Sequence, residues 1–252
     1  MKNKITILRI LPILVFIILW ELKCHGDRNL IFFFGLPSKI CFYLITKTFD
    51  GSLIKDFFIT FFETICGFIL GNLIGTLIGL SLWFSKTLFE ISKPYIIALG
   101  SSPIFALAPL MIIWFGTGIF SKIMIATLST LFIALFQAYS GASEVNKDYL
   151  KLMKTFRASK KEVFQKIIVP SSVIWVISAF KINVGFALLG AFIGEYISSN
   201  FGLGHLILVA SGLFDISLVL TGVLLLIVIA LVLNYIISKI ENPLKRLIVK
   251  YL

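Results

Sequence analysis

Long apolar runs separated by short polar punctuation dominate the chain, and their lengths predict membrane-spanning helices rather than a globular core. A helix rises about 1.5 Å per residue and the hydrocarbon core is about 30 Å thick, so one span takes about 20 mainly apolar residues. Six stretches meet or approach that length: about Ile5–Trp20, Phe57–Phe84, Tyr95–Phe115, Ile123–Tyr139, Ser171–Ile197 and Leu213–Ile237. They predict an all-α integral membrane fold of about six transmembrane helices. The chain divides accordingly into an anchor span with an outer loop (1–56), a core transmembrane domain (57–238) and a cytoplasmic tail (239–252). The first run follows Lys2, Lys4 and Arg9 as a signal peptide would. Bulky, charged Trp20-Glu21-Leu22-Lys23 stands where small cleavage-site residues belong, so the run reads as a retained anchor.

Within the runs, small residues and breakers carry the finer pattern. Gly67, Gly71, Gly75 and Gly79 recur every four residues and stack on one helix face, where another backbone can approach closely. Pro103 and Pro109, preceded by Gly100-Ser101-Ser102, predict a kinked third span. Backbone freed by such a kink must be buried in protein or line a watery cavity. Between spans four and five, residues 141–170 are too polar to cross and too regular for a slack loop. Leu150, Met153 and Phe156, then Val163, Phe164 and Ile167, recur at helical spacing among lysines. They predict two short amphipathic helices broken near Ala158-Ser159. Ser159 caps the second, with Glu162 three residues on, and Pro170 marks entry into span five.

Composition agrees: 59% of the residues are apolar and 14% charged, with 25 Phe, where a soluble domain carries about 25% charged residues. The net charge of +11 belongs to cytoplasmic loops rather than to a nucleic-acid surface. With both termini inside, most of the 23 Lys and Arg fall on inner segments, and the loop between spans five and six has none. The chain is therefore N-in and C-in. Cys24, Cys41 and Cys66 have no metal spacing, and the sequence offers no metal site; a Cys24–Cys41 disulfide on the outer loop stays open.

The segment at 141–170 resembles the cytoplasmic motif of binding-protein-dependent ABC importer permeases. That motif runs Glu-Ala-Ala, three residues, Gly, nine residues, then Ile-x-Leu-Pro. Here the frame reads Lys151-Leu152-Met153, Arg157, then Ile167-Ile168-Val169-Pro170, so the spacing is kept while the acid, the alanines and the glycine are replaced. Trp20-Glu21-Leu22, Leu36-Pro37-Ser38, Pro103-x-x-Ala106-x-x-Pro109-Leu110 and Phe201-Gly202-Leu203-Gly204 are similar to the nitrate, alkanesulfonate and taurine branch, which includes thiamine-precursor importers. The resemblance implies a MetI-like permease fold in the inner membrane of a bacterium. It implies a second permease copy, cytoplasmic ABC ATPase subunits, a periplasmic or lipid-anchored solute-binding protein and surrounding lipid as partners. ATP would sit on the ATPase, this chain holding no cofactor and no catalytic residue. Leu150, Lys151, Met153, Phe156, Arg157, Ala158, Ser159, Ile167 and Pro170 would form the coupling segment.

Charge within a span costs about 2.5–3.5 kcal/mol at the helix centre, which makes it a functional candidate. Lys181, about 15 Å into span five by helical rise, either faces the path and favours an anion, or snorkels or pairs with Glu195 about 21 Å away. Ser101, Ser102, Gln137, Asn183 and Glu195 are the other path candidates, each equally able to bond a neighbouring helix. Two other classes compete. An intramembrane enzyme would need a Ser, Asp or His constellation within the spans, and no span contains His. A secondary transporter would show denser in-span charge and inverted repeats.

Overall fold

The computed structural model describes the backbone of residues 2–251 and the side chains of residues 11–241 and 243. The side chains of Lys2, Lys4, Arg9, Lys245, Arg246 and Lys250, used above in the charge argument, lie outside the described residues. The order of elements is α1 (Lys2–Cys24), α2 (Arg28–Phe34), α3 (Pro37–Phe49), α4 (Ser52–Leu82), α5 (Lys86–Gly100), α6 (Ile104–Phe115), α7 (Ile119–Ser143), α8 (Lys147–Thr155), α9 (Lys160–Val163), a π-helical turn (Phe164–Ile168), α10 (Val169–Ile197), α11 (Leu203–Gly212) and α12 (Ile216–Tyr251). Among the described residues, four helical stretches are long and apolar enough to cross a membrane, and up to six if the bent pairs α2–α3 and α5–α6 each count as one.

The core is a trio, α4, α7 and α10, held by close backbone approach. One face of α4 buries Thr60, Glu63, Thr64, Gly67, Gly71, Gly75 and Gly79. A Cβ added at Gly67 would overlap Ala126, at Gly71 Thr130, and at Gly75 and Gly79 the carbonyls of Leu131 and Leu135. On the far side of α7, a Cβ at Gly190 would lie 2.5 Å from Ser129 Oγ and 2.7 Å from Ala126 Cα. Lipid supplies no hydrophobic drive between helices, so this packing and the hydrogen bonds across it hold the trio. Buried Asn183 on α10 donates to Asn72 Oδ1 on α4 (2.7 Å) and to the Thr130 carbonyl on α7 (3.2 Å), linking all three. Interhelical bonds of this kind are worth about 0.6–2 kcal/mol. Val184, Leu188, Ile229, Leu233 and Ile237 then seat α12 against α10, with Phe57, Phe61 and Phe68 of α4 packed on the same cluster.

Several expectations change. The stretch read as an outer loop is largely helical. Asp27 caps α2, accepting from Asn29 N–H at 2.8 Å, and Pro37 opens α3. These helices are tied to the start of α12, since Leu36 N–H donates to Ser217 Oγ (3.0 Å) and Tyr43 O–H to Asp215 Oδ2 (2.5 Å). Cys24 is buried, Cys41 is exposed, and both are free thiols. The third span is two helices meeting at 93°, not one kinked helix. The break falls at Ser101–Pro103, because a residue preceding proline is pushed out of helical geometry, whereas Pro109 sits inside α6. The segment read as the tail is helical, since α12 runs on through it to Tyr251.

Candidate functional site

Three polar regions interrupt this apolar frame, and each sequence candidate belongs to one of them or to the trio. At the cytoplasmic end, Asn146 caps α8 by accepting from Asp148 N–H. Ser159 and Glu162 form the expected capping box on α9. The hydrogen bonds that Ser159 donates, from its backbone N–H first and its hydroxyl second, hold the Glu162 carboxyl below the usual carboxylate range. Arg157 lies between the two helices at φ +52°, the left-handed region that favours glycine. The family motif carries its glycine at this position.

The apolar stripe divides differently from the expectation. Leu150, Val163, Phe164 and Ile167 turn inward and pack with Leu80 and Trp83 on buried Ala142, Val145 and Ile168. Met153 and Ala158 are half-buried, and Lys151 is exposed, paired with Asp148 at 3.1 Å. The large apolar side chains most exposed on the segment are Leu152, 52% exposed, and Phe156, 72% exposed. Lys160 fastens the segment to the end of α4 by donating to the Phe84 carbonyl (2.5 Å), while Phe84 and Phe164 rings lie 4.6 Å apart. Pro170 stands in the first turn of α10, at the entry expected of it, yet the helix is continuous through it. In the π-helical turn the Val169 N–H bonds the Phe164 carbonyl five residues back, and the helix runs unbroken from Lys160 to Ile197. Such a turn accommodates backbone that a proline has disturbed.

At the outer end a cluster that sequence reading missed gathers on α4, α7, α10 and α11. Glu63, Lys122 and Glu195 are each no more than 1% exposed. Glu195 accepts from Thr60 Oγ1 and from Gly204 N–H, both at 2.7 Å. Leu203 N–H donates to Thr60 Oγ1 (2.9 Å) and Gly202 N–H to Asp56 Oδ1 (2.8 Å). Gly202 has φ +99° and lies so near the Glu195 carboxyl that no Cβ would fit. Lys122 donates to the Thr117 carbonyl and lies in the field of both glutamates. One signal could have exposed the cluster: Thr60, Glu63, Thr64, Gly67 and Gly71 fall at helical spacing on a single face of α4.

The third region is the α5–α6 break. Ser101, Ser102 and Ser129 reach a cavity of about 560 Å³ there, and Gln137 lines an adjoining one of about 260 Å³ that shares Ser101. The structure therefore brings Ser101, Ser102 and Gln137 together and leaves the remaining path candidates elsewhere. Asn183 is fully buried in the trio, and Glu195 lines neither cavity. Lys181 pairs with Glu241 at 2.6 Å rather than with Glu195. Counted from Ser171 this lysine falls ten residues along the span, but the helix itself begins earlier, at Lys160. Lys181 lies about 24 Å along the helix from Ile197, beside Glu241 of α12.

The chain is thus a multi-helix fold with up to six candidate membrane spans, an exposed apolar pair on a basic segment and a cavity at a broken helix. The model of the family described as "Binding-protein-dependent transport system inner membrane component" matches residues 71–246. The chain belongs to that family, the permease subunits of ABC importers. It is 30% identical over 233 residues to a probable ABC transporter permease protein of Haemophilus influenzae, covering 92% of this chain and 94% of that one. It is 28% identical over 199 residues to the formylaminopyrimidine transport permease protein ThiX of Halalkalibacterium halodurans, covering 76% of each. Among solved structures, the inward-facing methionine ABC transporter MetNI matches with a TM-score of 0.70 at 14% identity, over 79% of this chain and 99% of that one.

Proposed function

We propose that this chain is the non-catalytic permease of an ATP-driven importer in the bacterial cytoplasmic membrane. Two copies pair around the path, embedded in lipid. Cytoplasmic ATPase subunits dock on α8 and α9, and an outer binding protein delivers a small polar or anionic solute. The solute is a sulfonate, taurine, nitrate or a thiamine-precursor pyrimidine. ATP is held by the partner ATPase, and this chain binds neither cofactor nor nucleic acid. The single observation that carries the reading is the outward pair Leu152 and Phe156, a large apolar surface on an otherwise basic segment that no described residue covers. An amphipathic helix laid into a groove is a standard mode of recognition. ATPase closure would move α8 and α9, and the continuous helix into α10 would carry that movement across the membrane.

The test is co-purification of the chain with its ATPase from detergent-solubilised membranes. Leu152→Asp or Phe156→Asp weakens association at least about 30-fold, the effect of losing a hot-spot residue worth about 2 kcal/mol, while membrane insertion is retained. Undiminished association of both variants sinks the docking model.

A further inference from the structure

A hollow of about 820 Å³ opens between α1, α2 and α12, apart from the three polar regions described above. Phe16, Leu19 and Trp20 of α1 face Ile216 and Leu220 of α12 across it. Helical spacing puts the α1 groups on one side, since Phe16 and Trp20, like Leu19 and Lys23, stand four residues apart. Among the described residues that line the hollow, Lys23 carries the only charge. Ordered water needs about two to four polar partners, and these walls do not supply them. In a bilayer the space that water cannot hold is filled by hydrocarbon, and its volume is within the ~300–1,000 Å³ of a ligand pocket.

Charge at the edge of the hollow makes it selective. Ile216 also lines a second hollow of about 320 Å³, where Arg28 of α2 and Lys39 of α3 stand with Asp215. The two hollows together therefore carry three cations against one acid. That acid is already engaged, accepting from Tyr43 O–H (2.5 Å) and Leu218 N–H (3.1 Å). The neighbouring acids are occupied as well. Glu21 accepts from Ser38 Oγ (2.7 Å) and Ser38 N–H (3.0 Å), and Asp27 caps α2. Among the described residues, none of Lys23, Arg28 and Lys39 forms an ion pair. A phosphodiester with a full negative charge supplies the missing countercharge, and the arginine fork matches phosphate geometry.

We propose that this end of α1 forms a binding site for an anionic phospholipid, with an acyl chain between α1 and α12 and the headgroup phosphate held by Lys23, Arg28 and Lys39. The inference rests on membrane embedding alone, not on which ATPase or solute the chain serves. The test uses the full chain in nanodiscs, with Trp83, Trp114 and Trp175 changed to Phe so that Trp20 alone of the four tryptophans reports. Phosphatidylglycerol or phosphatidylcholine, each brominated on its acyl chains, is titrated in as a quencher. A basic residue beside an anionic headgroup is worth about fivefold in affinity, so phosphatidylglycerol quenches Trp20 at a mole fraction at least ~5-fold lower than phosphatidylcholine. Changing Lys23, Arg28 and Lys39 together to Gln removes the difference while both lipids still quench. Native mass spectrometry of the unsubstituted chain, released from an equimolar mixture of the two lipids, retains phosphatidylglycerol in preference. Equal quenching in the parent would mean filling by any hydrocarbon, and no quenching would mean that a second copy or another helix fills the hollow. Either result overturns the proposal, as does lipid retention without that preference. Loss of ATPase recruitment would defeat the permease reading and leave this site standing.

Discussion

The two ends of the molecule invert each other. At the outer end, charged side chains are buried: Glu63, Lys122 and Glu195 are withdrawn from solvent, and backbone N–H groups at the start of α11 are spent on Glu195 and Asp56. At the inner end, apolar side chains are exposed, with Leu152 and Phe156 standing out among lysines. Polarity in a membrane chain therefore does not by itself mark where a partner binds. What separates the ends is satisfaction. The outer cluster is nearly closed by its own neighbours and serves to hold elements together, whereas the inner segment leaves Leu152 and Phe156 exposed.

This contrast can be broken most forcefully at the outer end. Lys122→Met leaves Glu63 and Glu195 buried together without the nearby cation, and removing one member of a buried charge set costs about 3–5 kcal/mol. Thermal unfolding in detergent should show that loss, and a variant as stable as the parent would mean that the cluster is not held by charge. The inner end is sharpened by a change of the opposite sign. Arg157→Gly relieves a left-handed residue and stabilises the α8–α9 turn by about 1 kcal/mol. Hydrogen exchange of α8 and α9 amides should slow; unaltered or faster exchange would show that the arginine side chain compensates for its backbone.

The smallest effect follows from pH. Hydrogen bonds from Ser159 hold Glu162 below the ordinary carboxylate range. A depressed acid contributes its stability fully above the unfolded value of about 4.3 and loses it as pH falls through the lower folded value. Protection factors at α9, with the intrinsic pH dependence of exchange divided out, should fall on acidification through that window in the parent and stay constant in Glu162→Gln. Equal pH dependence in the two would place the stabilisation elsewhere.

Much of this architecture was legible in the sequence where a signal is local. The long apolar runs of α4, α7, α10 and α12, the glycine register of α4 and the Ser159–Glu162 capping box all depend on residues within a few turns of one another. What escaped depends on distant partners. Lys181 is matched by Glu241 on another helix, and no spacing announces that pairing. The helices α2 and α3 are each too short to read as a span, and they are fastened by Ser217 and Asp215 from far along the chain. The 93° turn was read as a kink because two prolines compete for it, and Pro109, deep in the apolar run, drew weight that belongs to Ser101–Pro103. Ser101, Ser102 and Gln137 were found as candidates because polar groups in lipid are conspicuous. Their shared cavity appears only once α5 and α6 part.

The π-helical turn at Phe164–Ile168 has a mechanical meaning. Because it joins α9 to α10 without a break, the stretch Lys160–Ile197 is one rod of 38 residues, about 57 Å long at helical rise. Its foot is pinned beside Phe84 and its head carries Glu195, which grips the first turn of α11. A rod of that length pivoting at its foot sweeps its head through about 1 Å for each degree of tilt. Hydrogen bonds are lost within about an ångström of stretch, so a tilt of very few degrees is enough to work the grip on the far side of the membrane.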